Sequence, residues 1–170
     1  MDDPRLPRFL YAILFFAGLL MSIYYYPQMP ERMASHFAGD GGANGWQSRE
    51  GFFLLMLFVS CTSALVGFVA PWQIAARANG QINLPHRNYW LAPERRAETM
   101  RFISATMAWF SCGLLFVLIS GTFLALQANL GPGHRFDSEA MVVVLVLFLA
   151  SLLALLVRMI RHFQKLPVTQ

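Results

Sequence analysis

Charge is scarce in this chain: Asp, Glu, Lys and Arg make up 13% of its 170 residues, while 56% are hydrophobic. Four stretches hold no charge at all: Phe9 to Tyr26, Gly51 to Trp72, Phe102 to Leu126 and Ala140 to Val157. A soluble domain of this length cannot bury so much apolar surface, and each run has roughly the 17–25 residues with which a helix crosses the hydrocarbon core. The runs lack the polar stripe of a soluble amphipathic helix. They also lack the period-two alternation of a transmembrane barrel. These absences predict an all-α integral membrane four-helix bundle, read as a single membrane domain over 1–170, with helices at about 9–26, 51–72, 93–126 and 140–157.

Other absences narrow the function. No Asp, Glu, Lys, Arg or His lies within the four runs, which disfavours an ion-coupled pump. Two cysteines, Cys61 and Cys112, fall at membrane depth and read as small buried packing residues rather than a disulfide framework. The first run ends in "YYYPQMP" without a small-x-small cleavage site, so it reads as a retained helix and not a signal peptide. No nucleophile–base–orienter set and no zincin motif appears, so no catalytic residue is assigned and the expectation is a non-enzyme. No cofactor is expected. A calcium loop starting at Asp40 fails because Gly42 and Gly51 stand where oxygen ligands belong. His36 and His134 lack a spaced partner, so no metal is assigned either.

The few charges are unevenly placed. The 13 Lys and Arg fall as two in the N-terminal tail, two in the first loop, five in the second, one in the third and three in the C-terminal tail. Basic residues mark the cytoplasmic side, so both termini and the second loop are expected inside, and the first loop outside. The net charge of +4 follows from this asymmetry and does not imply nucleic acid.

What is there is concentrated in two loops. The first, "SHFAGDGGANGWQS" from Ser35 to Ser48, is rich in glycine and polar residues. Asp40-Gly41-Gly42 and Asn44-Gly45 are read as supplying positive-φ turn positions, Gly45 among them, so the segment folds as a hairpin or compact turn stack over the outer end of the bundle. Tyr24, Tyr25, Tyr26 and Trp46 suit the outer aromatic belt. The ligand-binding candidates are His36, Phe37, Asp40, Asn44, Gly45 and Trp46.

The second loop, "QIAARANGQINLPHRNYWLAPERRAETMRF", has a turn signal at Asn79-Gly80 and prolines at Pro85 and Pro93. Pro93 and Glu94 mark a helix start that runs without interruption into the third span, a helix roughly 50 Å long. The motif residues of this loop are Asn83, Pro85, Tyr89, Trp90, Pro93, Glu94, Arg95 and Arg96. Within the spans, Ser60, Ser63 and Gly67, then Ser104, Ala108 and Ser111, then Ala150 and Ala154 form small-residue stripes that predict helix contacts.

The segment "YYYPQMPERMASHFAGDGGANGWQSREGFFL" resembles the defining stretch of a bacterial membrane family, the domain of unknown function 1648. Pro27, Pro30, His36, Phe37, Gly39, Gly45, Trp46, Ser48 and Arg49 fall on its pattern of a proline-flanked His-Phe, a glycine-rich turn and "GW" before the next helix. The resemblance spans roughly residues 9–100, since "INLPHRNYWLAPERRAET" resembles a cytoplasmic motif of other members. It implies a compact cap on which His36 and Phe37 present a polar–aromatic face outward, and a relation to SdpI-like toxin-immunity and signalling proteins of the bacterial inner membrane, although those carry a further C-terminal module that the last two spans do not obviously match. The expectation is a non-enzymatic multi-pass protein that senses or binds an extracytoplasmic peptide or lipid, with a cytoplasmic or membrane protein partner. The alternatives are an accessory subunit of a membrane complex and, third, a membrane-embedded enzyme or metal protein.

Overall fold

The computed structural model describes residues 3–78 and 81–164; the Asn79-Gly80 turn signal lies outside them. Among the described residues four helical spans are long and apolar enough to cross a bilayer: Arg5–Gln28, Arg49–Ala76, Pro93–Leu130 and Ser138–Gln164. This is a multi-pass membrane protein. In a bilayer every backbone polar group must be satisfied within the segment, so apolar runs of this length fold as helices.

The first span is α1 (Arg5–Tyr25) with a 3-10 turn over Tyr26–Gln28. An antiparallel hairpin follows, β1 (Arg32–Phe37) and β2 (Ala43–Ser48). The second strand runs directly into α2 (Arg49–Ala64), whose first turn is capped by Ser48 Oγ accepting from Gly51 N at 3.0 Å. The second span continues through a π-helical segment, Leu65–Val69, into α3 (Ala70–Ala76). After the short α4 (Arg87–Trp90) comes the long α5 (Pro93–Leu130), and the last span is α6 (Ser138–Gln164). The long helix starts at Pro93, as its sequence predicts, and runs 38 residues.

The π segment has a local cause. Pro71 has no N–H to give, and its ring crowds the carbonyl four residues earlier, that of Gly67. A widened turn, with Ala70 N donating to Leu65 O, relieves the crowding. On α5, Ser111 Oγ donates to Ser63 O at 3.0 Å. Ser63 Oγ in turn donates to Ser60 O at 2.7 Å and pairs with the Tyr11 hydroxyl of α1 at 2.7 Å. These bonds tie three spans together at membrane depth, where polar pairing and close backbone approach drive association.

The small-residue stripes are partly as expected. Ser63 and Gly67 are buried against Ala108 and Ser111, and a Cβ on Gly67 would lie 2.7 Å from Ser111 Oγ. Ala150 and Ala154 on α6 are exposed, which corrects their reading as a packing stripe; α6 meets α5 instead where Phe148 covers Gly113. Cys112 is buried and its Sγ donates to Pro7 O at 3.0 Å, but Cys61 is exposed on α2, so only one of the two cysteines is a buried packing residue.

Candidate functional site

The hairpin sits over the end of the bundle where α1 and α5 finish. Met33, with no exposed surface, packs with Met29, Phe52, Ala125 and Leu126 in one apolar cluster, and its neighbour Ala34, paired across the strands with Trp46, is buried as well. Beneath the strand, the buried amide of Asn129 on α5 accepts from Ala34 N at 2.6 Å and donates to Ala34 O at 2.9 Å. The same Nδ2 donates to Ala125 O at 2.8 Å. A strand edge that would otherwise bury unpaired backbone groups is thereby satisfied by one side chain.

The turn between the strands is held from the other side by the segment after α5. Phe136 N donates to Gly41 O at 2.9 Å, Arg135 Nη2 donates to Asp40 O at 3.1 Å, and Gly42 bridges Arg135. Asp40 Oδ1 accepts from Gly42 N at 2.9 Å, an Asx-type turn. Gly41 adopts φ 82°, and a Cβ there would strike Phe136 O. Gly45 does not take a positive φ, which corrects the expectation for Asn44-Gly45. It lies in β2 opposite His36, and a Cβ on it would come within 2.7 Å of His36 Cβ. The constraint at Gly45 is cross-strand room.

The six candidates divide. His36 and Asn44 are exposed and paired, Nδ1 to Oδ1 at 2.6 Å. An amide oxygen only accepts, so Nδ1 carries the proton in this pair. Trp46 is 39% exposed; its ring meets His134 edge-on at 5.2 Å between centroids, and the Arg32 guanidinium lies 5.7 Å from its centre. Phe37 turns inward instead, stacking on Phe136 at 4.9 Å and joining the apolar cluster, so it shares no outward face with His36. Asp40 and Gly45 shape the hairpin. The presenting set is therefore His36, Asn44 and Trp46, joined by His134 and Arg32. His134, itself at φ 47°, was visible in sequence only as a lone histidine, and nothing in the sequence marked Asn129.

The second-loop residues form a clasp at the opposite end. Arg96 Nη2 donates to Ala75 O at 3.0 Å and Arg77 O at 2.7 Å, satisfying carbonyls where α3 ends. Trp90 Nε1 donates to Phe163 O at 3.1 Å, close to the end of α6. Thr99 Oγ1 donates to Trp90 O at 2.8 Å, and the Arg95 guanidinium covers the Tyr89 ring at 3.9 Å. Pro93 and Glu94 form the first turn of α5, while Asn83 and Pro85 are exposed ahead of α4. Most of the motif is thus engaged within the chain.

No curated protein and no solved structure matches the chain. A family model does match: the one described as "Domain of unknown function (DUF1648)", over residues 13–59. Those residues run from α1 through the whole hairpin into α2 and stop before the second loop. The chain therefore carries the DUF1648 segment from Ile13 to Val59, with the hairpin at its centre.

Proposed function

We propose that this is a non-enzymatic protein of the bacterial inner membrane that binds a peptide or a lipid outside the cytoplasm through the exposed face of the hairpin. The observation that carries this reading is the contrast between anchored and exposed residues within one small element. Met33 is seated in the apolar cluster and the Ala34 backbone is held by Asn129, while His36, Asn44 and Trp46 stand exposed. A surface held rigid before binding loses little entropy when a ligand arrives, and a Trp beside a His–Asn pair offers both an apolar anchor and directed hydrogen bonds. The orientation rests on the distribution of basic residues, ten of the 13 lying in the tails and the second loop. The immunity or signalling sense of the reading comes from the resemblance to SdpI-like proteins.

The test is growth of a deletion strain under secreted-peptide challenge, complemented with the parent chain, His36→Ala or Trp46→Ala. Both variants are expected to insert normally and to protect poorly. Full protection by both would remove the hairpin as a binding surface. Recovery of a stoichiometric membrane partner, with protection unaffected, would favour the accessory-subunit reading.

A further inference from the structure

Three helices meet along one seam, and the seam changes character along its length. At the end where α1 begins and α6 ends, they enclose a polar bowl of about 410 Å³. Arg5 and Arg8 of α1, Arg101 of α5 and His162 of α6 line it, together with the carboxylates of Asp3 and Glu98. Asp3 Oδ1 accepts from Arg5 N at 2.9 Å, so one of those two carboxylates is turned toward its own chain. Arg8 is held in place by donating to Ser104 Oγ at 2.8 Å.

Beside the bowl, an apolar groove of about 660 Å³ lies at membrane depth, lined mainly by aliphatic and aromatic side chains of α1, α5 and α6. The two meet at Phe102: its ring stacks on His162 of the bowl at 3.8 Å, and the guanidinium of Arg158, which lines the groove, lies 4.9 Å from it. On α6 the groove extends from Arg158 to Leu147, about 16 Å at 1.5 Å per residue. One leaflet of the hydrocarbon core is about 15 Å deep, half of roughly 30 Å. Trp109 also lines the groove, and its Nε1 is buried without a hydrogen-bond partner among the described residues.

We propose that this seam binds one anionic phospholipid, its phosphate among Arg5, Arg8 and Arg101 and one acyl chain in the groove. Orientation signals require arginines near this end, but not their convergence from two helices on a bowl that neighbours, across Phe102, an apolar slot of leaflet depth. Basic pockets between spans at the cytoplasmic side are suited to lipid phosphates. The indole N–H of Trp109 supplies a donor for an ester carbonyl, which would relieve its unpaired burial. A zwitterionic lipid offers the same chain but brings its own cation to the arginines, so the seam discriminates by charge.

The experiment places the full chain in nanodiscs of mixed phosphatidylglycerol and phosphatidylcholine, transfers it to detergent and counts retained lipids by native mass spectrometry. One phosphatidylglycerol is expected to be retained in preference to phosphatidylcholine. Arg5→Gln with Arg101→Gln should lower that preference on the order of tenfold, and Arg101→Lys alone should keep it. Ala154→Phe fills the groove from an exposed position and should lower retention, whereas Leu153→Phe, an exposed neighbour that does not line the groove, should not. Excess inorganic phosphate should displace nothing, because it has no chain to seat. Thermal melts establish that each variant is folded. Equal retention of the two lipids, unchanged retention in folded Ala154→Phe or in the arginine double variant, or displacement by phosphate would each overturn the proposal.

Discussion

One side chain of α5, Asn129, bonds both the backbone N–H and the backbone carbonyl of Ala34, 95 residues away in sequence. Both bonds are buried. Asn129→Leu would leave the two groups unpaired, at about 1–3 kcal/mol each. The expected outcome is a lower melting temperature in detergent and faster amide exchange over residues 32–37, with the spans still inserted. Unchanged exchange there would mean that the apolar cluster alone holds the hairpin.

Two glycines in the hairpin are constrained for different reasons, and their variants should separate. At Gly45 the neighbour is His36 Cβ, so Gly45→Ala should destabilise the hairpin and a second change, His36→Gly, should restore it by vacating that space. At Gly41 the cost is the positive φ and the carbonyl of Phe136, so Gly41→Ala should cost on the order of 1–3 kcal/mol and His36→Gly should not help. Thermal melts of the two single and two double variants check this. Equal rescue at both positions would refute the distinction.

The pattern of what the sequence disclosed follows from range. Span positions were legible because uncharged runs leave the backbone no alternative to helix in lipid, and Pro93 was legible because its missing N–H suits a first turn. The hairpin was legible as a turn-rich loop, but local composition assigned a positive φ to Gly45, where cross-strand packing decides. Phe37 turned inward because a partner arrived from residue 136, which no nearby residue foretells. Asn129 was hidden for the same reason. Ala150 and Ala154 had the right spacing for a contact, yet α6 meets α5 through a different face, with Phe148 over Gly113. Small-residue spacing indicates which faces permit close approach, and the partner helix decides which one is used.

At the opposite end, Arg96 and Trp90 make separable contributions. Arg96→Gln removes a charge-assisted bond to the carbonyls of Ala75 and Arg77, and should cost about 1–3 kcal/mol while loosening amide exchange at the end of α3. Trp90→Phe keeps most of the ring contact with Phe163 but loses the bond to its carbonyl, and should cost about 1 kcal/mol and loosen the end of α6. Each variant should disturb its own helix end. If either variant loosens both ends equally, the loop acts as one cooperative unit and not as two independent clasps.

Orientation is the prediction on which the hairpin's proposed role turns. Two positions report it without disturbing the contacts described above. Gly39 is exposed, and a Cβ there meets nothing within 4 Å; Asn88 is exposed on α4. The background replaces Cys61 and Cys112 with serine, which at residue 112 keeps a donor for Pro7 O. With the second loop and both tails carrying ten of the 13 basic residues, Gly39→Cys should react with a membrane-impermeant maleimide on intact cells. Asn88→Cys should react only after permeabilisation. The reverse pattern would put His36, Asn44 and Trp46 in the cytoplasm, beyond reach of any secreted peptide, and would move the arginine bowl and its lipid to the outer leaflet.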